Sequence, residues 1–201
     1  MSQTSPAAPG HALSPEARDA YRLVIDSLLH DRRLPHPSNL PATAALRELQ
    51  AADWLGFDAD GTIVAPYPFA LEETGVSIRL DSERVWHPVM CAIDALGIAP
   101  MLGQVVHIRS HCRQTGNPIS ISVRPTGIRR RRPASSVVIR RRTAGPAHMN
   151  RCDATRFAAA PHLAQAWIDA TGTDDDVIQS LEAAFIEGRS IFGHRLQEPS
   201  T

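Results

Sequence analysis

Lysine is absent from this 201-residue chain, and all 21 of its basic residues are arginine. Arginine is the better fork for carboxylates and phosphates. Here 21 acidic residues balance it, and the formal net charge is zero. No whole-molecule field therefore draws in nucleic acid or an anionic membrane. No apolar run approaches the roughly 18 residues that a membrane span needs, so no membrane partner is expected. The start, Met1 to Leu13, is rich in Pro, Ala and Ser but lacks a basic stretch followed by an apolar block. It reads as a disordered tail and not as a signal peptide, which places the protein in the cytoplasm, where thiols stay reduced. Cysteine is scarce: three residues, an odd number widely spaced, argue against a disulfide framework and for free thiols. A glycine-rich phosphate loop, a G-x-S-x-G elbow and an H-E-x-x-H helix are all missing.

What is present suffices for a core, since 43% of residues are hydrophobic. Ser14-Pro15 starts a helix as N-cap and first helical residue, and Tyr21, Val24, Ile25, Leu28 and Leu29 recur at helical spacing to residue 30. A second helix is predicted from Pro41 to Ala52, with Leu46 and Leu49 inward. Asp60-Gly61 between Phe57 and Ile63 signals a hairpin, and Val76, Ile78 and Leu80 alternate as a strand. Helix, helix and hairpin suggest a small winged-helix-like module over residues 14–80, followed by a second part over 81–201. In that part, His87-Pro88 is expected to open a helix that Gly97 closes. Val105 to Ile108 and Ile119 to Val123 are expected to pair through Thr115-Gly116-Asn117-Pro118. Ser136 to Ile139 reads as a short buried strand. Pro161 to Thr171 and Asp174 to Gln197 read as helices, the latter with three Asp in its first turn, where the dipole favours them.

The clusters Arg129–Arg132 and Arg140–Arg142 hint at nucleic acid. No aromatic is interleaved for base stacking and the overall charge is balanced, so an edge strand guarded by charges is the better reading. Nucleic acid is not expected as a partner. His111 beside Cys112 lacks the paired ligands of a structural zinc site.

Cys91 and Asp94, three residues apart on a helix, share a face. If Pro88 starts that helix, Cys91 lies in its first turn, where the dipole helps a thiolate form, and Asp94 can exchange a proton with it. Taken alone, the pair fits a buried cysteine beside a solvated aspartate just as well. The wider pattern is more specific. Cys91-Ala92-Ile93-Asp94-Ala95-Leu96, then Gly103, Ser110-His111-Cys112 and Thr115-Gly116-Asn117-Pro118, resembles the core of the organomercurial (alkylmercury) lyases. Arg151-Cys152-Asp153-Ala154-Thr155-Arg156-Phe157 resembles the segment with that family's second active cysteine. Ala166-Trp167, Glu182-Ala183-Ala184-Phe185 and His194-Arg195-Leu196 fit more loosely. Two departures stand out: Met90 where the best-known members carry Trp, and Arg156-Phe157-Ala158 where His-Phe-Phe is frequent.

The resemblance implies a catalytic trio of Cys91, Cys152 and Asp94, with Cys112 structural. Two thiolates, the soft ligands a protein has for soft mercury, would push electron density toward the carbon. A carboxyl alternating between acid and base would deliver the proton. Products would be a hydrocarbon and a mercuric ion held by Cys91 and Cys152. No organic cofactor is implied, and low-molecular-weight thiols or a mercuric reductase would take the ion away. The expected architecture is α+β, a helical N-terminal module packed on a mixed or antiparallel sheet with C-terminal helices. The alternative is a non-catalytic thiol protein that binds or senses soft metal ions; it needs both cysteines but not Asp94.

Overall fold

The structure, a computed structural model, describes residues 13–40, 43–141, 152 and 154–196. The expected tail lies outside them except for Leu13, which is buried in the core; Arg142, Arg151 and Asp153 also lie outside them.

Helix α1 runs Pro15–His30, and the Ser14 side chain accepts from the backbone N–H of Ala17 at its start. Its inward face is Ala17, Ala20, Tyr21, Val24, Ile25 and Leu28, the 3.6-residue stripe read from the sequence. Helix α2, Thr43–Ala51, is fastened to α1 where Ser14 donates from N and Oγ to the Glu48 carboxylate. Strands β1 (Leu55–Phe57) and β2 (Ile63–Pro66) pair antiparallel across the predicted hairpin.

Strand β3 (Val76–Leu80), expected at the end of the N-terminal module, is hydrogen-bonded inside the main sheet. That antiparallel sheet has the order β4-β3-β5-β6-β7, with β4 His87–Pro88, β5 Val106–His111, β6 Pro118–Arg124 and β7 Gly127–Arg132. Val106, Ile108, Ile119, Ile121 and Val123 are buried on one face. A second sheet has the order β10-β8-β9, from β8 Val137–Arg141, β9 Arg156–Ala158 and β10 Asp176–Ser180.

Helix α3 (Ala92–Leu102) is buried from Ala92 to Met101. A helix apolar all round belongs in the middle of a fold, and α3 packs against β3, β5 and β6 and against the C-terminal helix. Each fully buried side chain such as Leu96 or Ile98 contributes about 1.5–3 kcal/mol. Two expectations are corrected here. Pro88 lies in a strand, paired with Ser77, and the helix begins after Cys91. Gly97 does not close the helix; Gly103, left-handed at φ 67°, does so, donating to the carbonyl of Ala99. Gly97 is instead a crossing point, because a Cβ there would lie 2.5 Å from Phe192 and 2.8 Å from the carbonyl oxygen of Gly188.

Helix α4 (Pro161–Thr171) matches the reading, but the expected helix from Asp174 does not form. Asp176–Ser180 pairs with β8 as strand β10, and helix α5 covers Leu181–Phe192 with Ser180 as its side-chain cap. The sequence predicts the aspartates as first-turn residues. Asp176 instead accepts from Arg141 at 2.7 Å and holds the strand register. The arginines divide as well. Arg129–Arg132 lie on β7, the sheet edge, whereas Arg140 and Arg141 sit on the central strand β8 and pair with Glu187 and Asp176.

Candidate active site

Cys91 is the N-cap of α3, in extended backbone at φ −157° and ψ −177°, and its side chain makes no capping bond. Its Sγ is thereby available to the interior. Asp94 follows in the first helical turn and is buried, 5% exposed. Cys152 arrives from a distant turn closed by Thr155 N–H donating to the carbonyl of Cys152. That turn is fastened to the start of α3, since Ala92 N–H donates to the carbonyl of Thr155. The ligand atoms of Cys91, Asp94 and Cys152 lie within 4.8 Å of one another, and the Cys152 thiol donates to Oδ2 of Asp94 at 3.6 Å.

Burial decides the protonation states. It pushes the Asp94 carboxyl up to about 6, against thiol hydrogen bonds from Cys91 and Cys152 and the charges of Arg195 and Arg140. Burial also pushes the Cys91 thiol well above its usual range, reinforced by Cys152 and Asp94. The expectation of a dipole-stabilised thiolate at Cys91 is corrected: at the N-cap the dipole is outweighed by desolvation and by a neighbouring carboxylate. Near neutral pH the resting site therefore holds protonated thiol at Cys91 beside a largely ionised Asp94. All three cysteines are free and buried.

The trio opens into a pocket of about 450 Å³, counted out to its mouth, whose wall includes Tyr67, Arg140, Ile191, Phe192 and Arg195. The enclosed room inside it is about 80 Å³, well below the roughly 300–1,000 Å³ of drug-sized ligand sites, so it suits a compact ligand. Burial pushes the Tyr67 phenol up, with the thiols and carboxylates adding to it, so it stays protonated. None of these wall residues was singled out as a site residue from sequence. They carry no spacing signal, because Tyr67 follows β2 while Ile191 and Phe192 end α5 and Arg195 lies just beyond it. Cys112 stands apart from the trio, at the turn after β5, where its N–H donates to Asn117 and its carbonyl accepts from Gly116. His111 belongs to no cluster of three metal-ligating side chains among the described residues.

Residues 69–193 match the family model described as MerB, alkylmercury lyase. The chain belongs to the alkylmercury lyase family. Its curated relatives include the alkylmercury lyase of Pseudomonas putida, 29% identical over 154 residues covering 76% of this chain and 70% of the relative. That of Bacillus cereus is 28% identical over 163 residues, covering 79% and 71%. Among solved structures, the mercury-bound form of MerB2 superposes with a TM-score of 0.72 at 21% identity, covering 92% of this chain and 93% of that one. The α+β architecture is thus that of the family. No helix among the described residues is long and apolar enough to cross a membrane.

Proposed function

We propose that this chain cleaves the carbon–mercury bond of organomercurials by protonolysis, using Cys91, Cys152 and Asp94. The observation that carries the reading is that two thiols and one carboxyl, distant in sequence, converge within 4.8 Å in a buried pocket. An alkylmercury thiolate enters, and one cysteine takes the mercury while its proton leaves with the displaced thiol. The second cysteine adds to mercury and passes its proton to Asp94. Two thiolates on a soft cation raise electron density on carbon. The carbon–mercury electron pair then takes the proton back from Asp94, releasing the hydrocarbon and restoring the carboxylate. Mercury stays divalent throughout, bound by Cys91 and Cys152, and no electron donor is needed.

In the same reading the chain uses no organic cofactor. Low-molecular-weight thiols, or a mercuric reductase, receive the mercuric ion and return protons to the cysteines, in the cytoplasm. Residues 14–75 act as a supporting module that contributes Asp53 and Tyr67 to the pocket of a catalytic domain whose sheet begins with β3. The deciding experiment is release of benzene from phenylmercury in excess thiol. Stoichiometric mercury capture without benzene would replace the lyase by a metal-holding thiol protein.

A further inference from the structure

Two guanidinium groups stand in the pocket wall, and they are not equivalent. Arg140 is paired with Glu187 at 2.7 Å, so its charge already has a partner. Arg195 is 5% exposed and is held by aromatic faces, 4.6 Å from the Trp54 centroid and 4.4 Å from that of Phe192. Its Nε donates to the carbonyl of Ile191. Among the described residues, however, its Nη1 is buried with no hydrogen-bond partner, and no carboxylate forms an ion pair with it. The charge of Arg195 is felt by Asp94 across the pocket, but none of the described carboxylates pairs with it directly, and a buried N–H left without a partner is costly to keep. The Trp54 and Phe192 rings also hold the guanidinium in place, so little ordering remains to be done when an anion arrives.

We propose that Arg195 is a carboxylate-binding group of this pocket, recognising an anionic substituent on the ligand that brings mercury to Cys91 and Cys152. This rests on the lyase reading for the identity of the ligand. The carboxylate has two possible carriers: the organic group on mercury, or the thiol that carries mercury in. Each would meet the same fork of N–H donors.

The test uses phenylmercury and 4-carboxyphenylmercury, each supplied in excess 2-mercaptoethanol or in excess mercaptoacetate. Wild type, Arg195→Gln and Arg195→Lys are compared. Cleavage is followed by release of benzene or benzoate, and affinity by thiol competition. A charge-assisted bond lost in the Gln variant lowers the carboxylate-to-neutral preference by roughly 10- to 100-fold, with part of it kept by Lys. A preference tied to 4-carboxyphenylmercury in both thiols assigns the carboxylate to the organic group. One that appears with phenylmercury only in mercaptoacetate assigns it to the thiol. If neither variant folds, wild type alone decides, since it should prefer one carboxylate combination and be inhibited by mercury-free benzoate. An unchanged ratio in Arg195→Gln, or a wild type with neither preference nor benzoate inhibition, overturns the proposal. Absence of benzene in the neutral arm would sink the lyase reading instead, while the affinity ratios still report on Arg195.

Discussion

Arg156 donates from Nη1 to the carbonyl of Met90 at 3.3 Å, across 66 residues of sequence. The same nitrogen donates to the carbonyl of Cys152 at 3.0 Å. One buried guanidinium therefore ties the segment entering Cys91 to the turn that carries Cys152. The residue that departs from the family's usual pattern is a strap behind the thiols, and Met90, the other departure, supplies one of its anchor points. Arg156→Met should strand these carbonyls and cost about 1–3 kcal/mol. It should also weaken retention of mercuric ion against competing thiol. Urea titration and thiol competition check both effects, and wild-type retention in a folded variant would show that the strap does not set the cysteine spacing.

Asp94→Asn keeps shape and both thiols while removing the titrating group. The variant should still capture mercuric ion and phenylmercury, and its single-turnover cleavage should fall by roughly 10²–10⁴, the range for a lost general acid. Rates are normalised to folded, mercury-binding protein. Near-equal rates would remove Asp94 from the mechanism.

Asp94 must be ionised to accept a thiol proton, so cleavage should rise as pH rises through about 6. Stability runs the other way. The folded carboxyl titrates above its unfolded value of 3.8, so its contribution is full below about pH 4 and lost as pH rises through about 6. Asp94→Asn should therefore gain on wild type across that window, by about 2–3 kcal/mol at most. Denaturant melts at pH 4 and pH 8 test this; a difference that does not change with pH would contradict the raised carboxyl.

Cys112→Ser should leave cleavage within about a factor of three, because the residue lies at a turn outside the trio. It should lower stability by about 1–2 kcal/mol, as a polar hydroxyl replaces a buried thiol. Cys91→Ser and Cys152→Ser should each abolish turnover. Loss of turnover in a folded Cys112→Ser protein would assign Cys112 to the chemistry.

Gly188→Ala should destabilise by about 1–3 kcal/mol through overpacking, because the added Cβ would lie 2.7 Å from the carbonyl oxygen of Ile93 and 2.9 Å from the amide nitrogen of Gly97. A thermal melt within a degree of wild type would show that α3 and α5 can separate freely.

Legibility from sequence followed how local each determinant is. Helices α1 and α4 were readable because Ser14-Pro15, Pro161 and the apolar spacing are local signals, and β5–β6 because strict alternation brackets turn chemistry. Residues 87–91 and 174–180 were misread because their state is set by distant partners. His87–Pro88 extends only because β3 lies beside it, and Asp176 leaves the helix because Arg141 holds it in a strand. The trio was legible only as a resemblance, since C-x-x-D alone fits many buried helices. The pocket wall was not legible, because Tyr67 and Arg195 meet the thiols only through tertiary packing.

The crossing of α3 and α5 sets the gauge of the reaction chamber from outside it. Gly97 and Gly188 let the two helices cross with no room for a Cβ between them, and α5 carries Ile191 and Phe192, with Arg195 just beyond its end, into the pocket wall. The bore offered to the organic group is thus fixed at a contact that no substrate touches. A chain of this fold that admits bulkier groups would be recognised by larger residues at these two positions, with its chamber lining unchanged.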